Sequence, residues 1–380
     1  MNNQNEVSVI SHFTNQILYG DAFQLIEEFP DNSIDTVITS PPYWRQVRYS
    51  ESKDELGQEH TPQEYIKKIC LLFNKIKPKL KDYGSLWVNV ADNYFSNKLK
   101  NLPSLSLAAI PELFKSAMIY TNEWICRNDI IWYKPNARPS GGVSSRFGVD
   151  YERLFWFVKS PHYYFVTQRL PHEWIDKDNL SLIGKSSKAE LVKGEESTGM
   201  HEVLSLRGKP RTKRYHPLGK LMRSVWPIDI HSDELPFVIY PTIWTINTTG
   251  YSGKHFAPFP SKLVHRVLTT TCPRKVCIKC RKPILDPLVE KYYPRTTHKI
   301  LCKCGTTLES DNTIKGCVFD PLAGTGTVAK AAIECGRDFI VSEILQDNIR
   351  QIQSRIKDAK FKDFYVMEFL DYSERLTKRV

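Results

Sequence analysis

Three groups of residues in this 380-residue chain have the types and spacing to do chemistry. The first is Thr39-Ser40-Pro41-Pro42-Tyr43-Trp44, directly after the apolar run Thr36-Val37-Ile38. That run reads as a short buried strand. Each proline fixes its own φ and lacks an N–H, and each pushes the preceding residue towards extended geometry. A stiff turn at a strand's C-terminal end follows, where open α/β sheets place their ligands. It offers the Ser40 hydroxyl, the carbonyls of Ser40 and Pro41, and a flat aromatic, Tyr43. Two acceptors gripping an exocyclic amino group would favour a pyramidal nitrogen and expose its lone pair. Tyr43 could stack on an extruded base. Pro-Pro alone is an ordinary strand-ending turn; Ser-Pro-Pro-Tyr after an apolar strand is more specific.

The second group is Asp320-Pro321-Leu322-Ala323-Gly324-Thr325-Gly326-Thr327, with Glu343 following. Val318-Phe319 ends a strand, and Gly324 and Gly326 permit a tight turn and a close ligand approach. The next strand, 338–342, carries Glu343 at its tip. A glycine turn after one strand and an acid ending the next form a nucleotide-binding layout, with the acid on ribose hydroxyls. No Gly-Lys-Ser/Thr follows, which disfavours a phosphate-binding loop. The third group is Cys277-x-x-Cys280 and Cys302-Lys303-Cys304, two close pairs about twenty residues apart. Four thiolates suit tetrahedral Zn²⁺ in a small module with little core. Four unrelated free thiols are the plainer alternative, and Cys272 is a spare fifth.

Positioning these groups takes an α/β scaffold. Residues 15–19 read as a strand, 22–29 as a helix and 34–38 as the strand that delivers the Pro-Pro turn. Asp21 sits where a helix N-cap belongs. Thr61-Pro62-Gln63-Glu64 has the form of a capping box opening an amphipathic helix, and Gly84 is expected to end that segment. Ser85–Val90 reads as a buried strand, 105–118 as a helix, and 124–132 and 151–159 as strands. Asp92 and Asn93, past the strand 85–90, line the ligand pocket or merely cap a turn. Arg138 and Arg146 lie in a Gly/Ser/Arg segment suited to phosphate contact. The run 207–220 has six Lys/Arg and no acid. Arg207, Lys209, Arg211, Lys213 and Arg214 in it are candidate nucleic-acid contacts, although such runs are often solvated loops. Ser261 would cap a helix ending near Thr271, helix 327–335 follows the glycine turn, helix 346–356 is terminal, and 364–367 is a last strand.

The Ser-Pro-Pro-Tyr turn resembles motif IV of the amino-methylating DNA methyltransferases, which take the methyl group from S-adenosylmethionine. The serine form is typical of cytosine-N4 enzymes and the Asp-Pro-Pro-Tyr form of adenine-N6 enzymes. The Asp-Pro-x-x-Gly-x-Gly-Thr stretch with Glu343 resembles motifs I and II, with Leu322 where phenylalanine is common and Thr325 where serine is common. The segment around Phe259 resembles motif X, which covers the cofactor's methionine end, and the family places an acid at the position of Asp21. With the catalytic turn first and the cofactor turn last, the order is that of the permuted β group. The resemblance implies a Rossmann-like methyltransferase fold: a mixed sheet with helices on both faces, a target-recognition insert and a small zinc-knuckle insert. Ser40 and Pro41 would hold the amino group and Tyr43 would stack, while Gly324 must come to lie beside Ser40.

The expected division is a catalytic half at 1–159 and a target-recognition region at 160–240. A cofactor-covering segment at 241–271, the knuckle at 272–310 and a cofactor half at 311–380 follow. The implied activity is cytosine-N4 methylation of double-stranded DNA by base flipping, in a restriction-modification setting with a cognate endonuclease, as a monomer or homodimer. Adenine-N6 methylation is the near alternative, a structured-RNA target a smaller one, and a zinc-containing DNA-binding protein with a dead methyltransferase fold a more distant one. Composition fits a DNA enzyme: net charge is +11 and the isoelectric point near 9.1. The 41% hydrophobic content supports a large core. There is no 18-residue apolar run, and the polar start of the chain resembles no signal peptide, so a cytoplasmic, nucleoid-associated protein is expected. Five of nine cysteines cluster at 272–304, which suits a metal better than a disulfide framework.

Overall fold

The computed structural model describes residues 13–48, 55–95, 105–134, 149–166, 169–170, 220–221, 243–246, 248, 259–286 and 295–362. Arg138, Arg146, Arg207, Lys209, Arg211, Lys213, Arg214 and the expected strand 364–367 lie outside them. In chain order the strands are β1 (Gln16–Tyr19), β2 (Ile34–Thr39), β3 (Leu80–Val90), β4 (Ile125–Tyr133), β5 (Tyr151–Val158), β6 (Arg169–Leu170), β7 (Lys220–Leu221), β8 (Ile243–Thr245), β9 (Lys275–Cys277), β10 (Thr313–Lys315), β11 (Cys317–Asp320) and β12 (Asp338–Glu343). The helices are α1 (Ala22–Leu25), α2 (Pro62–Lys79), α3 (Ile110–Tyr120), α4 (Ser261–Thr271), α5 (Arg295–His298), α6 (Thr327–Glu334) and α7 (Gln346–Lys357).

Eight strands form one sheet in the order β1-β12-β11-β2-β3-β5-β4-β8. The run from β1 to β3 is parallel, β5 is antiparallel to both β3 and β4, and β8 is parallel to β4. Fully buried β2 alternates its side chains between two cores. Val37 faces one with Ile69, Phe73 and Phe114 of α2 and α3; Ile38 faces the other with Leu263, Val267 and Val328 of α4 and α6. Helices therefore cover both faces. Two compact units divide the chain: residues 1–167 with 224–380, and residues 168–223. The latter holds the antiparallel pair β6–β7. Tyr163, Tyr164 and Val166, at the start of the expected recognition region, are buried with the first unit.

Local signals set most boundaries. The Thr61 hydroxyl accepts from Glu64 N and the Glu64 carboxylate from Thr61 N, so the capping box of α2 is present, with Pro62 in its first turn. Three boundaries differ from expectation. The helix expected from Leu105 starts at Ile110, because Ala109 is left-handed and the Asp92 carboxylate accepts from Ala109 N and Ile110 N. Gly84 does not end a segment but lies inside β3, which already begins at Leu80. A Cβ there would come within 2.9 Å of the Asp35 carbonyl, so the glycine permits close strand approach. Ser261 is the first residue of α4 rather than its cap, which is Pro260, without a side-chain bond. The segment 22–29 is α1 followed by a single 3₁₀ turn.

Asp35, near the start of β2, ties three central strands together. One carboxylate oxygen accepts from Lys81 Nζ at 2.8 Å and Tyr83 Oη at 2.7 Å, and the other from Cys317 N at 2.8 Å. Asp35 and Lys81 are 1% and 4% exposed. Removing one partner of such a pair strands a buried charge. Asp35→Ala should therefore destabilise the protein by about 3–5 kcal/mol, read as a lower urea midpoint. An unchanged midpoint would show that the pair is not a fastening.

Candidate active site

The parallel pairing of β2 with β11, Thr36 opposite Val318 and Val37 opposite Phe319, fixes where the two turns meet. Both strands end on the same edge, so the Ser40 turn and the turn after Asp320 lie side by side. Asp21 follows β1 on that edge, where Gly20 N donates to the Glu343 carbonyl at 3.1 Å. The structure thus gathers Asp21, Ser40–Tyr43, Asp320–Thr327 and Glu343, drawn from both ends of the chain.

The catalytic turn is braced from behind. Trp44 is 1% exposed in the core; its indole donates to the Glu59 carbonyl at 3.0 Å, and its own carbonyl accepts from Asn93 Nδ2 at 3.0 Å. Tyr65 Oη donates to the Pro42 carbonyl at 3.0 Å. Among the described residues no hydrogen bond ends on the Pro41 carbonyl. Ser40 and Tyr43 are half-buried. Tyr43 Oη lies 2.6 Å from Glu152 Oε2 and 2.9 Å from Asn89 Oδ1, and Ser40 Oγ lies 3.2 Å from Asn89 Oδ1. Lys134 Nζ donates to Glu152 Oε1 at 2.8 Å. Burial, then the neighbouring Glu152 charge, pushes the Tyr43 hydroxyl well above its usual pKa, so it stays a proton donor.

The glycine turn is braced from two sides. Gly324 and Gly326 have φ of 53° and 78°, and a Cβ on Gly326 would meet Ile352 of α7 at 2.7 Å. Glu343 accepts from Gly324 N and Leu345 N, each at 2.8 Å. The Asn348 side chain and Ile344 N also bond this carboxylate, so it is held firmly at the tip of β12. Asp320 is 1% exposed and accepts from Leu322 N at 3.1 Å. Thr325 and Thr327 face the protein: Arg355 Nη1 donates to their hydroxyls at 2.6 and 3.2 Å. The Pro321 carbonyl accepts from Ser342 Oγ, while Leu322, Ala323 and Phe259 pack on the cores. Asp21 caps α1, accepting from Phe23 N at 2.8 Å. The Asp92 carboxylate serves the start of α3.

The cysteine module occupies the opposite edge. The Sγ atoms of Cys277, Cys280, Cys302 and Cys304 lie within 4.8 Å of one another. The span suits tetrahedral thiolate coordination, whose ligand distance is about 2.3 Å. β9 pairs antiparallel with β10, so the ladder closing the module runs to Lys315. The Arg281 carbonyl oxygen lies 3.1 Å from Tyr83 Oη, placing the module where β2 and β11 begin. Asp35 and Ser40 lie five positions apart on one extended strand, roughly 16 Å. Lys275 donates to Thr313 Oγ1. Cys272 is buried in the main core and is not part of the cluster.

A family model described as DNA methylase, of the N6 and N4 type, matches residues 34–354. The chain belongs to this DNA methylase family. The Type II methyltransferase M.XycI of Xanthomonas campestris pv. cyanopsidis is 30% identical over 304 residues, 75% of this chain and 78% of its own. M.MwoI of Methanothermobacter wolfeii is 41% identical over 145 residues and M.SfiI of Streptomyces fimbriatus 35% over 171. Those two alignments span 38% and 41% of this chain but only 21% and 39% of the relatives' own lengths. A solved structure titled PvuII DNA methyltransferase (cytosine-N4-specific) has a TM-score of 0.51 at 16% identity, covering 93% of this chain and 90% of that one. That likeness is one of fold.

In this chain, sequence reasoning missed Asn89, Lys134, Glu152 and Arg355. Asn89, Lys134 and Glu152 are polar residues within or beside apolar strands, a signal of a specific partner, while Arg355 belongs to a polar helix and gives no such signal; the partners lie 18 to 109 positions away. Among the described residues no helix is long and apolar enough to cross a membrane.

Burial pushes the Asp320 carboxyl up to about 7 and raises Glu343 as well. An acid neutral in the fold but ionised in the unfolded chain keeps an extra proton when folded. This group therefore weakens the fold as pH rises from about 4 to about 7. In urea titrations across that window, Asp320→Asn should flatten the fall in midpoint. An unchanged slope would show that Asp320 titrates normally.

Proposed function

We propose that this DNA methylase transfers a methyl group from S-adenosylmethionine to the exocyclic N4 of cytosine in double-stranded DNA, as a Type II modification enzyme. The observation that carries the reading is the side-by-side placement of the Ser40-Pro41 acceptors and the glycine turn, imposed by β2 pairing with β11. Both turns would then border one binding site.

Glu343 would hold the cofactor's ribose hydroxyls, the 324–326 backbone would approach it closely, and Asp21 and Phe259 would border its methionine end. When bound, S-adenosylmethionine supplies an electrophilic methyl group on sulfonium sulfur. Ser40 Oγ and the Pro41 carbonyl would accept the two amino hydrogens of a base flipped from the helix. The Tyr43 ring would stack on that base. Amino nitrogen conjugated into a ring is a poor nucleophile, so alignment and electrostatic preorganisation carry the rate. Arg138, Arg146 and the basic run with Arg207, Lys209, Arg211, Lys213 and Arg214 would contact phosphates, and the region holding that run would read the target sequence. A cognate endonuclease is the partner this reading implies.

Incubation with labelled cofactor and mixed-sequence DNA, followed by nucleoside analysis, should yield N4-methylcytosine. N6-methyladenine as the sole product overturns the choice of base. Ser40→Ala should lower kcat by about 10²–10³ while leaving cofactor affinity nearly unchanged. Equal loss of both would make the turn structural.

We further propose that Cys277, Cys280, Cys302 and Cys304 hold one structural Zn²⁺. The donor set and the small local core, which includes Leu301, suit a metal-closed module. Metal analysis should find one zinc per chain, and Cys280→Ser should remove it and lower Tm by more than about 4 °C. Zinc-free protein with unaltered Tm would overturn the assignment.

A further inference from the structure

A hydroxyl can donate or accept, so a serine that must accept from an amino group needs its own proton directed elsewhere. The cluster behind Ser40 does this. Four oxygens converge there: Ser40 Oγ, Tyr43 Oη, Asn89 Oδ1 and Glu152 Oε2. The Asn89 amide nitrogen donates to the Arg153 carbonyl at 3.2 Å, which fixes the amide oxygen towards Ser40 and Tyr43. Lys134 holds the other Glu152 oxygen, so Glu152 acts as an ionised acceptor. Among the described residues, only Ser40 and Tyr43 bring protons to the four oxygens. The shortest contact, 2.6 Å, takes the tyrosine proton to the carboxylate. That leaves Asn89 Oδ1 and Tyr43 Oη 2.9 Å apart with no proton of their own between them. Ser40 Oγ lies 3.2 Å from the first and 3.4 Å from the second, so its proton serves both.

We infer that Asn89 and Glu152 are positioning residues that lock Ser40 as a hydrogen-bond acceptor towards the pocket, and so select a base presenting an amino group over one presenting a carbonyl. A carbonyl at that place would face serine lone pairs, leaving two acceptors unpaired. In a chain with serine where adenine-N6 enzymes have an acidic residue, the lock supplies by orientation what a carboxylate supplies by charge. The inference rests on the proposed amino-methylation.

Glu152→Gln tests it with little change of shape. Lys134 retains the oxygen of Gln, so the new amide nitrogen faces Tyr43 and donates to it. Tyr43 then donates to Asn89 Oδ1 at the shorter distance and competes with Ser40 for that oxygen, so the Ser40 proton is held less firmly and can turn towards the pocket. The variant should lose roughly 10- to 100-fold in kcat with cofactor affinity unchanged, and with a lower Tm because Lys134 loses its carboxylate partner. Ser40→Asp added to Glu152→Gln conserves net charge and restores an acceptor in any orientation, so it should recover most of the lost kcat. Wild-type kcat in Glu152→Gln, or a loss that Ser40→Asp fails to repair, overturns the lock while leaving the functional reading intact. A wild-type protein that transfers no methyl group to DNA overturns that reading and the lock with it.

Discussion

The parallel pairing of β2 with β11 is the constraint on which the molecule depends. It joins segments more than 280 positions apart, with Val37 against Phe319 and the Asp35 carboxylate against Cys317 N. Parallel strands end on the same edge of a sheet. The Pro-Pro turn and the glycine turn therefore become neighbours, whereas an antiparallel pairing would have sent them to opposite edges. Closing so long a loop carries an entropic cost that grows only with the logarithm of its length. The buried apolar faces of β2 and β11 and the Asp35 bonds offset it.

The same geometry separates stability from chemistry. At the edge where β2 and β11 begin lie Asp35, Lys81, Tyr83 and the cysteine module, joined through the Arg281 carbonyl. At the edge where they end lie the Ser40 turn and the glycine turn, with the Asp320 and Glu343 carboxylates bonded to backbone amides of the turns. An open α/β sheet binds ligands at its C-terminal edge because loops there are not needed to close the core. The described part of the chain follows that division, and its bracing residues bridge towards it: Tyr65 beneath Pro42, Arg355 beneath Thr325.

Much of this was legible in the sequence, for local reasons. Prolines at 41 and 42 restrict dihedrals whatever surrounds them. Thr61 and Glu64 announce a helix start through bonds spanning three residues. Two glycines followed by a helical run, and an acid ending the next strand, specify a turn that approaches a ligand. Failures came where a distant partner overrode the local pattern. Gly84 looked like a terminator but is a contact surface for the Asp35 carbonyl. Residues 105–109 looked helical until Asp92 claimed the amides of Ala109 and Ile110.

By itself the sequence determined which chemical groups stand together on short turns, and hence the family resemblance and the sheet-and-helix grammar. Dihedral restriction, capping and side-chain periodicity act within a few residues, so they are written in the chain. Tertiary structure alone decided which way those groups face. The Ser40 proton, the Thr325 hydroxyl and the Glu343 carboxylate are each oriented by partners from other elements. Hydrogen-bond direction depends on where every nearby donor and acceptor sits in space, and no spacing along the chain encodes that.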